Sequence, residues 1–229
     1  MAFKIAQPEV KFDSPGPQPN GLQATSDVLW SIDQVEHKIY LQDFETGEVL
    51  FESQTDTVHA SGITLGEDAL WVTSTYECKV AKLDPATGET IAKYESPGSG
   101  VVAWMAGSAE AKVTGAHGIE YRDSKLYIAA PPSQRLHVMD VATWEEVNSF
   151  PVPGLRVHGI AWSADGDGRL WIADTSAGTV NLMDVNDGRI HEVIRVEAPV
   201  EVHGMTMHEG VLWYCDAHTQ KIGRLALPD

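Results

Sequence analysis

The chain has 229 residues, 43% of them hydrophobic, and a formal charge of −17 from 16 basic and 33 acidic residues. That length buries a sizeable core, while the negative charge repels phosphate backbones and anionic headgroups and argues against nucleic acid or membrane as partners. No run of about 18 apolar residues suits a transmembrane helix, and Met1 to Asp13 lacks the basic and apolar regions of a secretory leader, so a soluble, cytoplasmic protein is expected.

In chain order, residues 3–12 have strand composition. Five short strands then open on a small glycine motif: Asn20-Gly21-Leu22, Ser61-Gly62-Ile63, His117-Gly118-Ile119, His158-Gly159-Ile160 and His203-Gly204-Met205. The glycines are 41, 56, 41 and 45 residues apart, which suits the four-strand blade of a propeller better than a two-helix repeat. Each glycine precedes a second run with an aromatic at equivalent spacing: Leu29-Trp30, Leu70-Trp71, Leu126-Tyr127, Leu170-Trp171 and Leu212-Trp213. A third run follows, and turns such as Thr46-Gly47, Thr87-Gly88 and Asp187-Gly188 introduce a fourth. The last repeat ends after its third strand. The pattern predicts an all-β fold, a five-bladed β-propeller of four-stranded blades over 18–55, 58–97, 115–153, 156–198 and 201–228, in one domain over 1–229. The strand at 3–12 is expected to complete the last blade and close the ring. Cys78 and Cys215 fall in non-adjacent repeats, which argues against a disulfide and suits a reducing compartment.

Side chains alternate along a strand, so the residues one and three before each glycine are expected to face one mouth of the channel. The nearer ring reads Asn20, Ser61, His117, His158 and His203; the next reads Gln18, His59, Gly115, Arg156 and Glu201. The second strands return to that face and end on Asp33, Ser74, Ala130, Asp174 and Asp216. Three imidazoles with Glu201 and Asp216 nearby predict a centre for a divalent metal, with His117, His158, His203, Glu201 and Asp216 as candidate ligands. The plain alternative is that the histidines pack in the channel and tie the blades together. Arg156 is a candidate to hold a substrate carboxylate, or else pairs with Glu201 or Asp174. Asn20, His59, Asp174 and Trp104 are candidate substrate-binding positions. His37, His137, His191 and His208 read as loop or outer-strand residues. The long 56-residue step holds an insertion over 96–114, with Trp104 and Met105, expected to lie over the mouth as a lid or to be a surface excursion.

The segments from His158-Gly159 through Leu170-Trp171-Ile172-Ala173-Asp174, and from Glu201-Val202-His203-Gly204 through Leu212-Trp213-Tyr214-Cys215-Asp216, resemble the virginiamycin B lyase (streptogramin lyase) propellers. Members of that family bind magnesium and open a cyclic depsipeptide by elimination. The resemblance implies His158, Glu201 and Asp216 as metal ligands and His203 as the proton-transfer residue. This chain departs from the family in having five repeats rather than seven, an aspartate as the last acid, and His117 as an added imidazole. The expected function is therefore that of a metal-dependent enzyme acting on a small anionic or cyclic ester-type molecule, in first place a lyase. His203 and Arg156 are the expected catalytic residues, and magnesium, zinc, iron, manganese or nickel the candidate ion. A hydrolase or lactonase, a redox metalloenzyme, and a non-catalytic ligand- or protein-binding ring are alternatives. So is a relative of the glutaminyl-peptide cyclotransferases, which also use a small five-bladed ring, although their glutamate-rich inner-strand motifs are not found here.

Overall fold

The computed structural model describes residues 4–228. β1 (Ile5–Asp13) is the strand expected at 3–12, with Phe3 lying outside the described residues. β2 (Pro19–Ala24), β3 (Val28–Asp33), β4 (Lys38–Asp43) and β5 (Val49–Gln54) make an antiparallel sheet. β6 (Ala60–Gly66), β7 (Ala69–Ser74), β8 (Lys79–Leu83) and β9 (Thr90–Glu95) make a second. Within the insertion β10 (Gly100–Val101) pairs with β11 (Val113–Thr114), and Ala103–Met105 form a 3-10 turn between them. β12 (Ile119–Arg122), β13 (Lys125–Ala130), β14 (Arg135–Asp140) and β15 (Glu146–Pro151) form the third sheet. β16 (Val157–Trp162), β17 (Arg169–Asp174), β18 (Thr179–Asp184), β19 (Ile190–Val196), β20 (Met205–His208), β21 (Val211–Asp216) and β22 (Lys221–Ala226) complete the chain.

These last seven strands and β1 form one eight-stranded sheet in the order β16-β17-β18-β19-β1-β22-β21-β20, rather than two separate four-stranded sheets. β1 pairs antiparallel with β22 from Gln7 to Asp13, as expected, and its first residues Ile5 and Ala6 also pair in parallel with β19. At 9 residues β1 outreaches the 6-residue β22, and the overhang satisfies part of an outer edge that would otherwise be unpaired.

Local chemistry sets the turns. Between β4 and β5, the Asp43 carboxylate accepts from the amides of Glu45 and Thr46, and Gly47 takes φ +75° to bring the chain back. Asp84 with Gly88 and Asp184 with Gly188 repeat the device.

The motif glycines close the structure on itself. A Cβ on Gly21 would stand 2.7 Å from the Ser61 carbonyl oxygen. Likewise Gly62 lies against the His117 carbonyl, Gly118 against that of His158, Gly159 against that of His203, and Gly204 against Gly21 itself. Each inner strand thus touches the next, and the last touches the first. Between them the channel is pinched to about 10 Å³. The cores follow the same cycle, because each packs adjacent repeats together. Trp30 and Ile32 meet Ile63 and Leu70, Trp71 meets Ile119 and Ile128, and Leu136 and Phe150 meet Ile160 and Ile172. Trp171 and Ile194 meet Met205 and Tyr214, and Trp213 and Ile222 return to Leu22 and Phe44. The tryptophans of the second strands serve these cores, as their apolar flanks dictate.

Candidate active site

In three of the five inner strands the residue before the motif glycine sits at an irregularity in the ladder. In β16 the pairing skips from Val157↔Asp174 to Ile160↔Ile172, and β2 and β6 skip at the same place. A bulge of this kind re-aims a side chain. Here it turns Asn20, Ser61 and His158 off the sheet, while His117 and His203 occupy the same place just before β12 and β20. The His117 and His158 rings lie 4.5 Å apart, and those of His158 and His203 5.0 Å apart.

The three rings line a cavity of about 230 Å³ together with Asn20, His59 and Arg156. The insertion supplies its apolar side through Val102, Trp104 and Met105. A polar hollow of about 300 Å³ adjoins it, lined by Gln18, Glu201, His218 and Gln220; Gln34, Arg156 and His203 border both. Larger hollows beside Arg224 and beside Trp30 lie away from the imidazoles and gather no comparable polar set. Thr114 joins the lining from the end of the insertion, and Gln34 and Tyr76 are mouth residues that the strand pattern does not single out. Tyr76 stacks on His59 with centroids 3.9 Å apart. The available signal was position, since Gln34, Tyr76 and His218 all fall one or two residues beyond the end of a second strand.

Burial governs protonation. Desolvation pushes His117 down to about 3 and holds His158 well below its ordinary range, with neighbouring imidazoles and Arg156 adding to both. His203 is lowered by burial and by Arg156, a shift partly offset by its bond to the Glu201 carbonyl and by the Asp216 and Glu201 charges. Its Nδ1 lies 2.9 Å from that carbonyl, which can only accept, and 3.3 Å from the Ala217 amide, which can only donate; the shorter contact favours the ring proton on Nδ1, with Nε2 carrying the lone pair. Arg156 faces Glu201 across 3.9 Å, and both are partly exposed.

Two expected ligand positions do other work. The Asp216 carboxylate accepts from the amides of Glu201, His218 and Thr219 and from the Thr219 hydroxyl, and is fully buried. The Asp174 carboxylate likewise accepts from Leu155 and Ala177, and that of Asp33 from Gln18, Val35 and Glu36. These aspartates hold the turns that follow the second strands, and none of them lines the cavity. In this arrangement the donors to Asp216, expected as a metal ligand, are the Glu201 amide and groups of the turn, while Asp174, expected as a substrate contact, holds its turn through two amides and lies outside the cavity lining. Both ring nitrogens of His158 and Nδ1 of His117 are buried without a hydrogen-bond partner, and neutral imidazoles suit a metal chemically. Yet no three His, Cys, Asp or Glu side chains among the described residues converge to hold an ion. The five-residue set expected for a divalent metal does not assemble in this arrangement.

No protein-family profile and no curated protein matches the chain by sequence. Solved structures do match. Myxococcus xanthus glutaminyl cyclase superposes over 100% of both chains at a TM-score of 0.75 and 10% identity. The chain is a β-propeller. Staphylococcus aureus virginiamycin B lyase matches over 95% of this chain and 69% of its own at a TM-score of 0.55 and 21% identity. The Myceliophteria thermophila Cps50 (Swd1) β-propeller domain matches over 96% and 100% at 0.57 and 12%. Likeness at these identities establishes the propeller fold. The resemblance read from the His158 and His203 repeats is matched by the presence of virginiamycin B lyase among the fold neighbours.

Proposed function

We propose that the chain is a five-bladed propeller enzyme, one domain over 1–229, in which the eight-stranded sheet counts as two blades linked by β1. In this reading it carries out an elimination on a small anionic or cyclic ester-type molecule at the mouth of the channel. The observation that carries the reading is His203: the shorter of its two Nδ1 contacts is to the Glu201 carbonyl, which favours the proton on Nδ1, and its ring borders both halves of a cavity shared with Arg156. A neutral imidazole is the form that accepts a proton. Nε2 takes the proton from a carbon activated by an adjacent carbonyl, the alkyl C–O bond of the ester on the neighbouring carbon breaks, and a double bond forms between the two carbons. The Arg156 guanidinium receives the carboxylate that leaves, and His203 returns its proton to solvent. Asn20 and His59 contact the bound molecule, and Trp104 covers it from the insertion.

A second reading places a divalent ion, magnesium or a transition metal, on His117 and His158, a pair that would need solvent or substrate oxygens to complete its shell. It is favoured by the unpartnered nitrogens of His117 and His158. The fold neighbours that are named as a lyase and as a cyclase supply the assay panel: a type B streptogramin, a simple lactone, and a peptide with an amino-terminal glutamine. Product mass separates the reactions, because elimination leaves the mass unchanged, hydrolysis adds water, and glutamine cyclisation loses ammonia. The proposal expects an unsaturated, ring-opened product of unchanged mass, formed by the wild type and not by His203→Gln. Turnover that survives His203→Gln, or no turnover of any of the three, counts against it; turnover abolished by a chelator and restored by one metal selects the second reading.

A further inference from the structure

We propose that Ser133, His137 and Glu146 form a second reactive centre on the third sheet, an activated serine that accepts acyl groups from small esters. It is independent of the His203 cavity, whose lining includes none of the three. The connection between β13 and β14 is a tight turn in which the Gln134 amide bonds the Pro131 carbonyl at 3.2 Å. It delivers Ser133 beside His137, with Oγ 2.9 Å from Nε2. The opposite ring nitrogen, Nδ1, is hydrogen-bonded to Glu146 Oε2 from the neighbouring strand. The carboxylate holds the ring proton on Nδ1, so Nε2 presents its lone pair to the hydroxyl, the arrangement that activates a serine nucleophile.

Three further features fit the role. His137 is buried and Ser133 partly exposed, so the base is shielded while the hydroxyl is reachable. The competing acceptor for the Ser133 proton, the Ala130 carbonyl, is farther away at 3.2 Å. The Ser133 amide N–H has no backbone acceptor among the described residues and is the candidate donor to the developing oxyanion. Gly98, at φ +66°, lies against both Ser133 Oγ and His137 Nε2, where any side chain would displace the pair. The root of the insertion therefore packs close over the Ser133–His137 pair.

The step balances on these residues. Oγ attacks the ester carbonyl as its proton passes to Nε2; the alcohol leaves with that proton, giving acyl-Ser133. Water then attacks, again through His137, to release the acid and restore the hydroxyl. The test is labelling with a fluorophosphonate, in which Oγ displaces fluoride from phosphorus, read by intact mass and peptide mapping. The expected result is one adduct at Ser133, absent in Ser133→Ala and slowed by at least about 100-fold in His137→Gln. Glu146→Gln, a change at an exposed carboxylate, keeps the fold and is also slowed. The proposal is overturned by the lack of a Ser133 adduct while a reference serine hydrolase in the same tube is labelled. It is equally overturned by an unchanged rate in folded His137→Gln or, should that variant not fold, in Glu146→Gln.

Discussion

Glu120 lies on β12 two residues beyond Gly118, on the far side of the glycine ring from the imidazoles, and is 5% exposed. Its Oε2 stands 3.4 Å from the Thr64 hydroxyl. That hydroxyl has a single hydrogen, which it gives to Gln23 Oε1 at 2.6 Å, while it accepts from the Tyr121 amide at 3.1 Å. The 2.6 Å contact takes most of that hydrogen and leaves Glu120 a weak share at 3.4 Å, so a protonated carboxyl, able to donate back to the hydroxyl, suits the network better than a carboxylate. Burial pushes Glu120 up to about 8 against a model-compound value of 4.5, and the Thr64 bond and the Arg122 charge oppose the shift only in part. With the folded value above the unfolded one, the contribution is fully present below pH 4.5 and is lost as pH rises through about 8. At pH 7 the loss is about 3 kcal/mol. Glu120→Gln keeps the shape, offers an N–H to Thr64 and cannot ionise. We expect it to melt roughly 6 to 12 °C above the wild type at pH 7 and close to it at pH 4.5. Thermal melts of both proteins at the two pH values decide this. A gain of equal size at both pH values, or a less stable variant at pH 8, refutes the argument that the carboxyl is held neutral in the channel.

The imidazoles pull the other way. Because His117 and His158 are depressed in the fold, their contribution is present above pH 6.5 and is lost as pH falls, down to about 3 for His117; urea titrations of His117→Gln should show a flatter acid limb than the wild type. Asp216→Asn leaves amide donors of the turn poorly matched and should cost about 1–3 kcal/mol in denaturant unfolding, with no change in bound metal. Gly118→Ala drives a methyl into the His158 carbonyl and should destabilise by about 3 kcal/mol or prevent folding, seen as loss of soluble monomer on gel filtration.

The ring was legible because its geometric requirement is written at one repeated position. Only glycine lets the neighbouring backbone approach at residues 21, 62, 118, 159 and 204, and the residue before it holds an equivalent place in each repeat, so the His117, His158 and His203 cluster followed from spacing. The fusion of the last sheets was not legible, since it depends on where two residues of β1, Ile5 and Ala6, come to rest against β19. The turn-holding bonds of Asp216 and Asp174 were not legible for a related reason. An acid at a strand end reads as facing the mouth, whereas its carboxylate folds back on the next turn, a choice signalled only by the positive φ four residues later at Gly178 and Gln220. His137 reads as an outer-strand residue, and its relay with Ser133 and Glu146 appears only once the strands are paired.

The claim that most depends on geometry is that His203 is neutral at physiological pH, with its proton on Nδ1 and Nε2 free. Long-range ¹H–¹⁵N correlation spectra of the wild type and His203→Gln, recorded across a pH titration, read tautomer and titration in one experiment. The account predicts a His203 signal set with protonated Nδ1, bare Nε2 and a midpoint below 6.5. A proton on Nε2, or a midpoint above 6.5, contradicts it and removes His203 as the base.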